Sequence, residues 1–167
     1  MTADMNLDDV AARVAALLIG RRDTVSVVES SSGGLVAAAL LAVPGASRYF
    51  VGGAVTYTAT ARERFLAIDA GGMEGLRSSS EPYARLLAET ARTRLGTVWG
   101  LAETGAAGPT GNRYGDAAGH SCLAVSGPVS RSVTIETGSA DRPENMRAFA
   151  RAALDLLESA LTEAGAA

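Results

Sequence analysis

The chain has 167 residues, 47% hydrophobic and 5% aromatic, enough for one domain with a sizeable core built from Ala, Leu and Val rather than from rings. Its net charge is −3 and its 15 cationic residues, all arginine, are dispersed, so no basic block offers a nucleic-acid surface. One cysteine, Cys122, and one histidine, His120, exclude an internal disulfide framework and argue against a Cys/His zinc site; no apolar run would span a bilayer and no cationic leader is present, so a cytoplasmic protein without membrane partners is expected.

In chain order, residues 7–19 place Leu7, Val10, Val14, Leu17 and Leu18 at helical spacing. Thr24 to Val28 is β-branched at four of five positions and reads as a strand. A helix is expected over 32–42 with Ser32 as its N-cap, ended by Val43-Pro44-Gly45. After a helical turn at 46–50, a strand is expected over 53–58 and a short helix over 61–66 capped by Thr60. Ser80-Glu81-Pro82 opens a helix that runs to Leu95, and Thr97 to Glu103 reads as a central strand. Strands at 121–126 and 130–137 form a hairpin through Gly127-Pro128, and a last helix covers 142–161 with a frayed tail from Thr162. Helix–strand alternation followed by a hairpin predicts a single α/β domain over 1–167, three-layered α/β/α with a mixed, mainly parallel sheet. Alanine- and leucine-rich first and last helices make a homo-oligomer the expected assembly.

Two glycine-bearing segments each follow a strand. The first is Glu29-Ser30-Ser31-Ser32-Gly33-Gly34; the second is Thr104-Gly105-Ala106-Ala107-Gly108-Pro109, followed by the insert Asn112 to Gly119. Strands that neighbour one another in a parallel sheet would open both turns at one edge, where ligand crevices of α/β sheets lie. Neither segment is a Walker or dinucleotide fingerprint. Tight turns alone are the competing explanation for the glycines. His120 is either a base beside the second turn or a histidine bonded to backbone.

These segments resemble the CinA (competence/damage-inducible) C-terminal domain family, whose stand-alone members include nicotinamide-mononucleotide amidohydrolases. The family's Glu-Ser-Cys-Thr-Gly-Gly stands as residues 29–34, Gly-Ser-Ser-x-x-Phe as 45–50, Gly-Gly-x-Val-x-Tyr as 52–57 and the Gly-x-Ala-Gly-Pro turn as 105–109. The resemblance implies removal of ammonia from the carboxamide of a nicotinamide nucleotide, with no metal or other cofactor. By position it implies Ser47 as nucleophile with Tyr57 close by, and it puts Arg62 where the family has a lysine base. It implies Ser30, Ser31, Ser32, Gly33, Gly34, Thr104, Gly105, Ala107 and Gly108 as substrate-binding and Arg142 as a phosphate contact. Arginine keeps its proton up to about pH 12 and cannot serve as a base. Tyr57, Glu29 and His120 are the alternatives for that role. The partner expected is a small, phosphate-bearing nucleotide, acted on by an amidohydrolase or bound by an inactive relative.

Overall fold

The computed structural model describes residues 6–166. Its elements are α1 (Leu7–Arg21), β1 (Val25–Glu29), α2 (Leu35–Leu41), a 3-10 turn (Ala46–Arg48), β2 (Phe50–Val55), α3 (Ala59–Leu66), a 3-10 turn (Gly71–Met73), α4 (Glu81–Leu95), β3 (Trp99–Ala106), β4 (His120–Ser126), β5 (Arg131–Glu136) and α5 (Arg142–Ala166). The five strands form one sheet in the order β2-β1-β3-β4-β5. Strand β1 runs parallel to both β2 and β3, while β4 is antiparallel to β3 and to β5. The expected mixed, three-layer α/β/α architecture is therefore present: β1, β2, β3 and β5 run in one direction and β4 in the other. Strand β4 runs against its neighbours because β3 returns to it through a loop at the same edge, without the crossover helix that a parallel neighbour requires.

Two apolar layers sandwich the sheet. On one face α1, α2 and α5 bury Val14, Leu18, Leu40, Leu154 and Leu157 against Val27, Leu101 and Leu123. On the other, α4 buries Tyr83, Leu87 and Ala88 against Val28, Ala102 and Ala124. Burial on both faces explains why β1 and β4 are buried at every position. The apolar faces of α1 and α5 pack on each other within this layer.

Several boundaries move for local reasons. Strand β2 begins at Phe50, whose pairing with Val25 starts the β1 ladder earlier than the expected Gly53. Thr58 rather than Thr60 caps α3, its Oγ1 accepting from the Ala61 N–H at 3.1 Å. Ser80 caps α4 by accepting from Tyr83 N–H, with Pro82 in the first turn. Helix α5 continues to Ala166 instead of fraying at Thr162, whose hydroxyl donates to the Glu158 carbonyl.

Candidate functional site

The C-terminal ends of β1, β2 and β3 lie at one edge of the sheet, so the turns after them meet there. Two buried carboxylates build the first turn. Glu103, on β3, accepts from the Ser30 N–H (3.1 Å), the Ser31 hydroxyl (2.5 Å), and the Ser32 N–H and hydroxyl (both 2.8 Å). Ser121 on β4 adds a fifth donor at 3.1 Å. Glu29 accepts from the Ser32 hydroxyl at 2.7 Å and from the N–H groups of Gly34, Val36 and Ala37 at 3.2, 2.9 and 3.0 Å. It thus caps α2, the task expected of Ser32, where the helix dipole favours negative charge. Burial pushes the Glu29 carboxyl up from its ordinary value, against the pull of the Ala37, Val36 and Ser32 hydrogen bonds. Gly33 and Gly34 take φ of +67° and +97°, backbone that side-chain-bearing residues rarely adopt.

This wiring sorts the three serines. Ser31 and Ser32 point at carboxylates and are buried, whereas Ser30 lines an open cleft of about 270 Å³. The opposite wall comes from the β2–α3 junction: Thr56, Tyr57, Thr58 and Arg62. Thr104 and Gly105 close the β3 side. A Cβ at Gly105 would sit 2.5 Å from the His120 carbonyl oxygen, so β3 and β4 meet too closely there for a side chain. Arg62 donates through Nε to the Ile68 carbonyl at 3.2 Å and lies beside the Tyr83 phenol. Burial raises the Tyr83 pKa, and the Arg62 hydrogen bond opposes the rise. Thr56 Oγ1 is the one buried side-chain polar atom without a hydrogen-bond partner among the described residues.

Arg142, at the start of α5, spans the two halves of the rim. It donates to the Gly108 carbonyl at 2.5 Å and to the Tyr57 hydroxyl at 3.1 Å. Gly108 takes φ +104° and packs against Ala118 and Ala140. Ala107 is buried and its carbonyl accepts from Asn145 Nδ2 at 2.8 Å. The insert is folded rather than loose. Asn112 Oδ1 accepts from the Tyr114 and Asp116 N–H groups, and Asp116 accepts from Arg77 at 2.7 Å. Tyr114 lies between the guanidiniums of Arg77 and Arg113, at 5.2 and 5.0 Å. The Arg113 hydrogen bond lowers its phenol pKa, outweighing burial.

The expected nucleophile, Ser47, and two of the three candidate bases, Glu29 and His120, do not line the cleft. Ser47 is exposed in the turn before β2, and the length of that strand, about 20 Å for six residues, separates it from Tyr57. Within one chain it does not share the cleft. Glu29 is committed to α2. His120 is buried, with Nδ1 at 2.5 Å from the Glu136 carboxylate and Nε2 at 2.9 Å from the Ser79 carbonyl. Both ring nitrogens are thus taken up by the fold, and neither faces the cleft as a base. Burial alone would lower its pKa; Glu136, Ser79 and Asp116 together raise it.

Sequence reasoning missed four residues. Glu103 is a carboxylate inside an apolar strand, a pattern that signals a buried, hydrogen-bonded charge. Asn145 is completely buried and positions the second turn. Ser79 takes a left-handed φ of +57° on the cleft wall, with its N–H donating to Thr104 Oγ1. Thr56 has no local signal, because its partner is missing rather than present.

A family model described as the CinA C-terminal domain matches residues 7–161. A CinA-like protein of Gloeobacter violaceus is 41% identical over 152 residues, covering 90% of this chain and 36% of the relative. One from Anaeromyxobacter sp. is 40% identical, covering 92% and 38%. The chain thus spans little more than a third of these curated relatives. Among solved structures, a competence-damaged protein (CinA) superfamily protein from Klebsiella pneumoniae superposes with a TM-score of 0.89 at 26% identity, covering 95% of this chain and 99% of that one. The competence/damage inducible protein CihA from Agrobacterium tumefaciens gives 0.83 at 29% identity, covering 93% and 95%.

Proposed function

Since this chain belongs to the CinA C-terminal domain family, we propose that it is an amidohydrolase-like protein whose cleft takes a small phosphate-bearing nucleotide of the nicotinamide mononucleotide kind, and that it holds this ligand more readily than it hydrolyses it. The observation that carries the reading is the cationic wall of the cleft, together with the loss of two of the three candidate bases, Glu29 and His120, to hydrogen bonds of the fold. Arg62 and Arg113 line the cleft and Arg142 bonds its rim tyrosine. Guanidinium matches phosphate oxygens bidentately and keeps its proton at any physiological pH. Amide hydrolysis by a serine hydroxyl needs a group to take the hydroxyl proton. Glu29 and His120 are already bonded into the fold, and Arg62 holds the position at which the family resemblance expects lysine.

One observation favours turnover as a second reading. Ser30 is the serine of the first turn that faces the cleft, close to Thr104 and Tyr57, so a carboxamide carbon placed there would lie near a hydroxyl.

Titration calorimetry with nicotinamide mononucleotide and nicotinate mononucleotide, run beside an ammonia-release assay at protein concentrations near substrate, separates the two. Binding without ammonia supports the first reading. Ammonia release that disappears in Ser30→Ala supports the second. No heat with either nucleotide overturns both. Arg62→Lys restores a titratable amine and is expected to raise ammonia release at least about tenfold if only the base is lacking.

A further inference from the structure

The ionisable side chains that line the ligand cleft are arginines and tyrosines: Arg62, Arg113, Tyr57, Tyr83 and Tyr114. Among the described residues no aspartate or glutamate lines it, and neither of the two arginines is in an ion pair. The carboxylates that lie nearby are committed elsewhere. Asp116 of the insert is held by Arg77 and Asn112, and Glu29 and Glu103 accept from the first turn and the start of α2. The cleft therefore carries positive charge that the protein does not neutralise.

The two cations differ in depth and in setting. Arg62, on α3, is half-buried; its Nε donates to the Ile68 carbonyl at 3.2 Å and the Tyr83 phenol lies beside it. These contacts fix the plane of the guanidinium. A guanidinium has five N–H groups, so terminal ones remain for a ligand. Arg113, on the insert, is exposed, and its Nη2 donates to the Tyr114 hydroxyl at 2.9 Å. The two enter from different walls: α3 follows β2 and the insert follows β3, with β1 between those strands.

Resting on the reading of the cleft as a mononucleotide site, we propose that Arg62 selects a carboxylate on the ligand's ring and that Arg113 holds the phosphate, so that the preferred ligand is a mononucleotide with two anionic ends, of the nicotinate rather than the nicotinamide kind. A guanidinium offers donors only. Against a carboxylate, two of its N–H groups meet two acceptors in a bidentate, charge-assisted pair. Against a carboxamide, one N–H meets the carbonyl oxygen and the other faces the amide NH2, donor against donor. The depth of the two cations assigns the ends. Stripping water from a phosphate dianion costs more than stripping it from a carboxylate. The phosphate therefore stays with exposed Arg113, and the singly charged carboxylate goes to half-buried Arg62.

Titration calorimetry tests this with nicotinate mononucleotide, nicotinamide mononucleotide and ribose 5-phosphate, which keeps the phosphate and lacks the ring. Wild type is expected to bind nicotinate mononucleotide at least about tenfold more tightly than nicotinamide mononucleotide, as an added charge-assisted hydrogen bond does. Arg62→Gln is expected to bring that ratio close to one and to leave ribose 5-phosphate binding unchanged. Arg113→Gln is expected to weaken all three ligands by a common factor and to leave the ratio standing. Circular dichroism melts check that Arg62→Gln folds without its Ile68 contact. Arg62→Lys is the second variant; it keeps the charge but not the planar fork, and is expected to show a ratio between those of wild type and Arg62→Gln. Equal affinity of wild type for the two nucleotides overturns the proposal and leaves the mononucleotide reading standing. So does a wild-type preference that both Arg62 variants keep. No heat from either nucleotide removes the mononucleotide reading, and the proposal with it.

Discussion

At the scale of single residues, the site is organised by carboxylates more than by its serines. Glu103 takes contacts from five groups of the first turn and β4, and Glu29 from four at the start of α2, the one Ser32 hydroxyl lying between the two carboxylates. Each is buried, and among the described residues neither is in an ion pair; hydrogen bonds hold both in place and fix the turn. Thr56 is the converse case. Its hydroxyl is buried and unmatched on the cleft wall, and an unsatisfied buried donor costs about 1–3 kcal/mol. Thr56→Val keeps the shape and removes the cost. It is expected to raise unfolding free energy in urea by about 1 kcal/mol. A lower midpoint than wild type would contradict this account of Thr56. The hydroxyl types were legible in the sequence, since Ser30 to Ser32 and Thr104 stood out beside glycines. Their directions were not, because a partner such as Glu103 lies about seventy residues away.

At the scale of elements, close approach decides which glycines are required. Gly100 lies in β3 beneath α4, and a Cβ there would sit 2.1 Å from the Ala88 carbonyl oxygen. That oxygen belongs to the helix backbone and cannot swing aside. Gly100→Ala is therefore expected to push α4 off the sheet and to cost about 3 kcal/mol, as overpacking at a tight contact does. Thermal denaturation checks this; a melting temperature unchanged from wild type would show that the helix yields. Most elements were readable from periodicity, α1, α4 and α5 above all, because each buries one stripe. The strand over 53–58 was placed too late. Phe50 closes the expected turn at 46–50, and β1 recruits it as the partner of Val25.

At the scale of the whole molecule, one buried ring holds the cleft's outer parts to the sheet. His120 joins β5 through Glu136 and the left-handed turn through Ser79, and it lies 3.6 Å from Asp116, which Arg77 clamps. Its pKa is raised in the folded state, so the stability it adds is fully present below the ordinary histidine value near 6.5 and is lost as pH rises through the folded value. Wild type is expected to lose stability relative to His120→Gln as pH rises from about 6 through the ordinary histidine value and beyond. Parallel urea titrations of the two proteins across that range measure it, and parallel slopes would refute it. The two turns converge as their position after neighbouring strands implied. Local pattern carries that much because periodicity and turn chemistry act over a few residues. The chain by itself therefore determined the helices, the α/β class, the glycine turns and the family. Which serine faces the cleft, that Ser47 lies at the far end of β2, that His120 is bonded at both nitrogens, and that no carboxylate among the described residues lines the cleft were decided only by the tertiary structure. Each of those depends on groups brought together from distant parts of the chain, and no spacing along it encodes their distance in space.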